Sequence, residues 1–318
     1  MTELQRYLAE EVAEDHADGI ITRREAVRRL GLLGVTGAAA STMLAAFGAE
    51  AAAASSRKKH SGGSSKHGRS TSWAPVPTKE IEFPAPAGRT NPLLAAWAPA
   101  AKPRGGLLVI HENRGLNDHI RTVAGRFAAS GYSALALDLL SEEEGTGSFP
   151  DDAAVMAALA AAPPERFTAD MKAALGEIKR RVRGKRLAAI GFCFGGGMVW
   201  NLLASGEPRL SAAAPFYGPF PTGGDLRGSR NAAVLGVYAG LDDRVNATRD
   251  AARAALEAAR LRHEILTFTE ANHAFFNDTN PDRFNAPAAA EAYRRALDWF
   301  DAFVAGRGGD HDSDSDSD

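Results

Sequence analysis

Arg186-Leu187-Ala188-Ala189-Ile190-Gly191-Phe192-Cys193-Phe194-Gly195-Gly196-Gly197 is the stretch on which the reading of this chain turns. The run Arg186–Gly191 predicts a strand that stops at the cysteine, and Phe194 to Ala204 predicts a helix opening directly after it. A strand-to-helix turn this tight leaves no room for neighbouring side chains. Glycines two before and two after the central residue satisfy that demand, and the stretch fits the nucleophile-elbow pattern with Cys in place of Ser. The helix N-terminus would favour a thiolate and offer the backbone N–H of Phe194 to an oxyanion. The bland alternative is a glycine-rich turn around a buried thiol.

Residues elsewhere decide between the two. Triad partners on such an architecture follow the nucleophile in the order acid, then histidine. Tyr238-Ala239-Gly240-Leu241-Asp242-Asp243 places an acid just past a predicted strand, with Asp242 and Asp243 competing for the role. Glu270-Ala271-Asn272-His273-Ala274-Phe275 places His273 in the loop after the next strand. Glu112 follows the strand Leu107–His111, in the loop expected to supply the second oxyanion N–H from Asn113. A carboxylate there could meet the thiol or the imidazole, or it could bridge to Arg114 at the surface.

Further outward, short apolar runs alternate with amphipathic stretches. Gly106–His111, Tyr132–Asp138, Ala232–Ala239 and His263–Thr269 predict strands. Helices are expected at about 120–128 with Asn117 as N-cap, 164–182 and 247–260, and a last one burying Ala292, Tyr293, Ala296, Leu297, Phe300 and Val304. Continuous rather than alternating apolar strands predict burial on both faces. The expectation is therefore an α/β protein with the α/β-hydrolase fold, its mostly parallel central sheet covered by helices on both faces, and its site beyond the carboxyl ends of the strands.

On the Gly191–Gly196 elbow, the Glu112 loop, Gly240-Leu241-Asp242 and Ala271–Phe275, the chain from about Thr78 to Val304 resembles the dienelactone hydrolase family (carboxymethylenebutenolidases). The resemblance places the acid two residues after the glycine, which selects Asp242. It implies hydrolysis of a small-molecule ester or lactone through a Cys193 thioester, with His273 as base, Asp242 orienting it and Glu112 pairing with the thiol, and no metal or organic cofactor. Best-known members carry arginines in the loop after the Asp138-type strand end and shortly after the histidine. Here those stretches read Ser141-Glu142-Glu143-Glu144 and Phe276-Asn277-Asp278. An acidic loop would repel a dianionic lactone, so a less acidic ester, lactone or thioester is expected, with Arg114 or Arg283 as substitutes the sequence does not place. A non-catalytic binding protein on the same fold and an exported peptidase or depolymerase are the alternatives.

The ends of the chain read differently. Residues 1–54 are expected to be an export signal: a polar start, the pairs Arg23-Arg24 and Arg28-Arg29, an uncharged run from Gly31 to Ala49, and small-residue A-x-A sites around Ala49, Ala51 and Ala53. The arginine pairs resemble a twin-arginine signal, with Ala26 and Val27 where bulkier Phe and Leu are usual. This predicts an encounter with export machinery and a periplasmic or extracellular location, with a membrane-anchoring span as the competing reading. Residues 55–73 read as a flexible linker, 74–305 as the catalytic domain and 306–318 as a disordered acidic tail. A net charge of −2, and basic clusters confined to the Ser/Gly-rich linker, give no reason to expect nucleic acid. One cysteine excludes an intrachain disulfide, and a monomer or small homo-oligomer is expected.

Overall fold

The computed structural model describes residues 1–57 and 74–306, the side chains of 50–57 aside. Nearly all of the expected linker and acidic tail lies outside the described residues. In chain order the elements are α1 (Glu3–Ala17), α2 (Arg23–Leu32), α3 (Gly37–Arg57), β1 (Lys79–Phe83), β2 (Leu93–Ala98), β3 (Gly105–Ile110), α4 (Asp118–Ala129), β4 (Tyr132–Leu137), α5 (Asp152–Ala161) and α6 (Pro164–Arg181). They continue with β5 (Leu187–Phe192), α7 (Phe194–Ala204), β6 (Leu210–Phe216), β7 (Ala233–Ala239), α8 (Asp243–Asn246), α9 (Arg249–Ala258), β8 (His263–Phe268) and α10 (Ala286–Phe303).

The strands form one sheet of eight in the order β1-β2-β4-β3-β5-β6-β7-β8. The pairs β1–β2 and β2–β4 are antiparallel, and every pair from β4 to β8 is parallel. Every residue of β3, β4, β5 and β7 is buried, as continuous apolar strands require. β8 is only half-buried, because it is the edge of the sheet.

Two neighbouring glycines show how closely the covering layers sit. Side chains at successive strand positions point to opposite faces. A Cβ on Gly105 would stand 2.3 Å from Val304, at the end of α10, while one on Gly106 would stand 2.3 Å from Ile178 of α6. α10 and α6 therefore lie on opposite faces of β3, which confirms the two-sided cover. The expected cap also forms: the side chain of Asn117 accepts the N–H of Ile120 at 3.2 Å, and Ile120, Val123, Ala124, Phe127 and Ala128 turn inward.

Three strands carry weak sequence signals. β1 reads Lys-Glu-Ile-Glu-Phe, largely exposed, while β2 and β6 are rich in alanine, which has low strand propensity. At the N-terminus, residues read as a leader form α1, α2 and α3, with Thr2 and Gln5 closing a capping box on α1. α1 packs against α2, α3 and α5. No helix among the described residues is long and apolar enough to cross a membrane.

The elbow gives the fold its sharpest steric test. A Cβ on Gly191 would lie 2.1 Å from the carbonyl oxygen of Gly195. Gly191→Ala should therefore cost about 1–3 kcal/mol, as overpacking does, and lower Tm by several degrees in thermal denaturation. Gly147→Ala is the control, since nothing lies within 4 Å of its added carbon; it should stay within about 0.5 kcal/mol.

Candidate active site

Because β3, β5, β7 and β8 run parallel, their carboxyl ends share one rim, and each delivers one of the residues singled out above. At the end of β5 the backbone reverses at Cys193, with φ 56° and ψ −121°, a strained conformation for a non-glycine residue. The turn is held from outside by the Cys193 N–H donating to the carbonyl of Phe216 at 3.0 Å. A Cβ on Gly195 would meet the carbonyl oxygens of Ile110 and His111 at 2.4 and 2.5 Å, so the loop after β3 lies directly against the elbow. That contact puts Glu112 and Asn113 beside the sulfur's turn, and Phe194 opens α7 where a helix presents its first free amides.

Asp242 is fully buried at the start of α8, and His273 lies in the loop after β8. Nδ1 of His273 is 2.6 Å from Oδ2 of Asp242, while Oδ1 accepts the N–H of Val245 at 3.1 Å. The Leu241 N–H donates to the carbonyl of Ala271 at 3.0 Å and ties the two loops together. Asp243 is exposed, so the acid on the imidazole is Asp242. A ring nitrogen of His273, Sγ of Cys193 and a carboxylate oxygen of Glu11 lie within 4.8 Å of one another. The three side chains foreseen from sequence thus meet, together with a fourth that was not.

Glu11 comes from α1. Its Oε1 and Oε2 stand 3.2 and 3.4 Å from Sγ of Cys193, which as the only possible donor contributes the thiol hydrogen. Oε1 also accepts the side-chain amide of Asn113 at 2.9 Å and lies 3.7 Å from Nε2 of His273. The hydroxyl of Tyr7, one turn earlier on α1, is 3.4 Å from the same sulfur. Sequence reading missed both because the polar start of the chain looked like a leader. Their spacing was the available signal, since Tyr7, Glu11, Glu14 and Asp18 recur at i+3 and i+4 and so share one helix face.

Three expectations need correction. Glu112 does not pair with the thiol: its Oε2 accepts the side-chain amide of Asn277 at 2.6 Å and its Oε1 the hydroxyl of Tyr217 at 3.5 Å. The carboxylate on the sulfur is Glu11. Nor does Glu112 bridge to Arg114, which faces Asp152 at 3.5 Å. The acidic loop after β4 does not line the cysteine's cavity, because Glu142 pairs with Arg89 at 3.2 Å and Glu143 with Arg166 at 2.5 Å. It therefore gives no ground for excluding an anionic substrate. Arg114 and Arg283 do line that cavity, with Arg283 held 3.0 Å from Asp15 and 3.1 Å from Asp18 of the N-terminal segment.

The charges in this buried cluster push against one another. Burial, with Glu11 next in effect, pushes the Cys193 thiol up to about 11. Burial alone would lower the imidazole of His273, yet Asp242 and the sulfur beside it raise it well above its ordinary value. Asp242, which burial alone would raise, is held below the usual carboxylate range by that imidazole. Glu11, Cys193 and His273 together offer the oxygen, sulfur and nitrogen donors that a thiophilic cation such as Zn²⁺ accepts. Glu11 joins the set only from α1.

Two cavities adjoin the elbow. The one around Cys193 and His273 is about 20 Å³, room for a water and little else. The other, about 200 Å³, is lined by Leu4, Tyr7, Phe194, Met198, Pro219 and Phe220 among others. Tyr7 borders this larger space and also touches the sulfur.

Known proteins resemble this chain in sequence and fold. Residues 94–304 match the dienelactone hydrolase family. A relative from Escherichia coli O157:H7, provisionally named a carboxymethylenebutenolidase, is 33% identical over 207 residues, covering 61% of this chain and 75% of its own. A crystal structure from Klebsiella pneumoniae, provisionally named a dienelactone hydrolase, superposes with a TM-score of 0.62 at 27% identity, covering 71% of this chain and 98% of its own. The dienelactone hydrolase-like promiscuous phosphotriesterase P91, from metagenomic libraries, shares the fold at a TM-score of 0.62 and 24% identity, covering 73% of this chain and 100% of its own. The matched stretch runs from β2 to the end of α10 and holds every residue of the cluster except the two supplied by α1, and on that ground the chain belongs to the dienelactone hydrolase family.

Proposed function

We propose that this ester or lactone hydrolase works through a thioester on Cys193, with His273 as proton carrier and Asp242 as the residue that orients it. The observation that carries the reading is the 2.6 Å contact between Asp242 and His273, set beside a sulfur displayed on a strained strand-to-helix turn. In the first half-reaction His273 takes the thiol proton and the sulfur attacks the acyl carbon. The ester C–O bond then breaks, and the departing oxygen leaves with the proton from the imidazolium. In the second half, water loses a proton to His273 and attacks the thioester. The carboxylic acid departs and loses its proton to solvent, and the sulfur recovers its proton from the imidazolium. The backbone N–H groups of Phe194 and Asn113 are the oxyanion donors in this reading.

Asp242 matters here for orientation. With its carboxylate on Nδ1, the tautomer that leaves Nε2 free to accept a proton is favoured. Glu112 acts at one remove, as a positioning residue that holds Asn277 and Tyr217. The edge of the Tyr217 ring lies against the His273 ring, with centroids 5.3 Å apart. The larger cavity, bounded by Phe194, Met198 and Phe220, suits a short apolar acyl or alcohol group.

Three measurements test this reading. Cys193→Ala should reduce turnover of p-nitrophenyl acetate to the uncatalysed background; unchanged turnover would remove the sulfur from the chemistry. Asp242→Asn should leave the fold intact and lower kcat by about 10³–10⁴, since the wrong tautomer is then favoured; a loss below about tenfold would deny the aspartate its role. The third is the pH profile of alkylation. Iodoacetamide reacts with thiolate, and a thiol pushed up to about 11 is mostly protonated at neutral pH. Alkylation of the intact chain should therefore still climb about tenfold per pH unit between about pH 8 and 10. Levelling off at the lower end of that range would contradict the environment described.

A further inference from the structure

A nucleophile that must become a thiolate and accept an acyl group is found with a carboxylate on it, a phenol beside it and room for one water. Both side chains come from α1, which lies outside the family-matched residues 94–304. We propose that α1 is an autoinhibitory strap: docked, it fills the acyl site above Cys193, and the hydrolase works only when the helix withdraws. The proposal rests on the reading of Cys193 as nucleophile.

Glu11 acts as an internal ligand. Its two oxygens meet the sulfur at 3.2 and 3.4 Å, where the carboxyl group of an ester would have to lie for attack. Its Oε1 also engages the side-chain amide of Asn113, in the loop expected to supply an oxyanion donor. Because a carboxylate can only accept, the thiol must donate to it, and so the contact stabilises the unreactive, protonated sulfur. Tyr7 closes the remaining side, between the sulfur and the 200 Å³ cavity.

The strap is fastened by arginines of the hydrolase body. Arg244, two residues after Asp242, reaches Glu14 at 3.1 Å and stacks over the ring of Tyr7 at 4.5 Å. Arg283 holds Asp15, and Glu3 accepts the backbone N–H and the hydroxyl of Thr222 at 3.2 and 3.0 Å. The fastening carries an unsatisfied group. Nε and Nη1 of Arg244 are buried without a hydrogen-bond partner, a cost that withdrawal of α1 would relieve. Burial and the neighbouring Glu11 also push the Asp15 carboxyl up to about 6. Contacts of this kind suit a helix that docks and leaves.

The covalent link through residues 58–73 keeps α1 at high effective concentration, so docking needs little intrinsic affinity. It also makes the inhibition removable by one cut. If residues 1–54 act as the leader their sequence suggests, cleavage near Ala49–Ala53 would take α1 away with them, leaving the enzyme latent before processing and active after it.

The test compares the full-length chain with a full-length Leu8→Asp/Val12→Asp variant, which puts charge at two fully buried positions of α1. Two rates are read: kcat/KM for p-nitrophenyl acetate and alkylation of Cys193 by iodoacetamide at pH 7.5. If only a small fraction of the wild type is open, both should rise at least about tenfold. A synthetic peptide spanning residues 2–18, added to the variant, should lower them again. A folded variant with unchanged or reduced rates would overturn the proposal and make α1 a fixed wall of the site. Faster alkylation without ester turnover would uphold the strap and sink the hydrolase reading. Should the double variant fail to fold, Glu14→Gln/Asp15→Asn takes its place. It removes the charges that Arg244 and Arg283 hold on α1, and alkylation no faster than wild type would equally overturn the strap.

Discussion

The backbone reversal at Cys193 is the constraint from which the rest of the site follows. A residue with a side chain sits at φ 56° only when its surroundings hold it there, and here they are backbone atoms of neighbouring elements. The Phe216 carbonyl takes the Cys193 N–H, and the carbonyls of Ile110 and His111 press on Gly195. A Cβ on Gly196 would stand 2.3 Å from the carbonyl oxygen of Phe216. These contacts join β3, β5 and β6 at one rim, so the sulfur, the loop bearing Glu112 and Asn113, and the start of α7 are fixed together. The imidazole arrives separately, on loops after β7 and β8 that the Leu241–Ala271 hydrogen bond ties to each other.

That rim holds more charge than a buried space normally tolerates. Glu11, Glu112, Asp242, His273 and Arg283 are all buried around one thiol. Burying an ionised group is costly unless it is paired, and each here has found a partner: Asp242 with His273, Glu112 with Asn277, Arg283 with Asp15 and Asp18. The thiol is the member whose partner works against its chemistry. Glu11 stabilises the protonated sulfur, whereas His273 favours the thiolate. Glu11 reaches the sulfur only from α1, so under the proposed strap the N-terminal helix and the Cys193–His273 pair are coupled through one hydrogen.

Much of the body was legible because its signals are local and steric. The Gly191–Gly197 run, the Asn117 cap and the continuous apolar strands each report a nearby constraint, and the structure meets each of them. β1, β2 and β6 were not legible, because polar or alanine-rich strands are made by their neighbours in the sheet rather than by their own propensity. The choice of Asp242 over Asp243 needed the family pattern, and burial then agreed with it. Glu112 was misread for a physical reason: a strand-end position says that a carboxylate is near the site, not which donor it faces, and Asn277 and Tyr217 claimed it. Glu11 and Tyr7 lie more than 180 residues from Cys193, and nothing local announces a contact across that distance.

The proposed chemistry stands or falls on the identity of the atom that carries the acyl group. The most direct measurement is mass spectrometry of the α1-unseated chain quenched in acid during turnover of a slowly hydrolysed ester. A thioester at Cys193 predicts an acyl adduct, removable by hydroxylamine, on the peptide containing that residue. An adduct on another residue, or steady product release from a Cys193→Ser chain that never carries one, would contradict it.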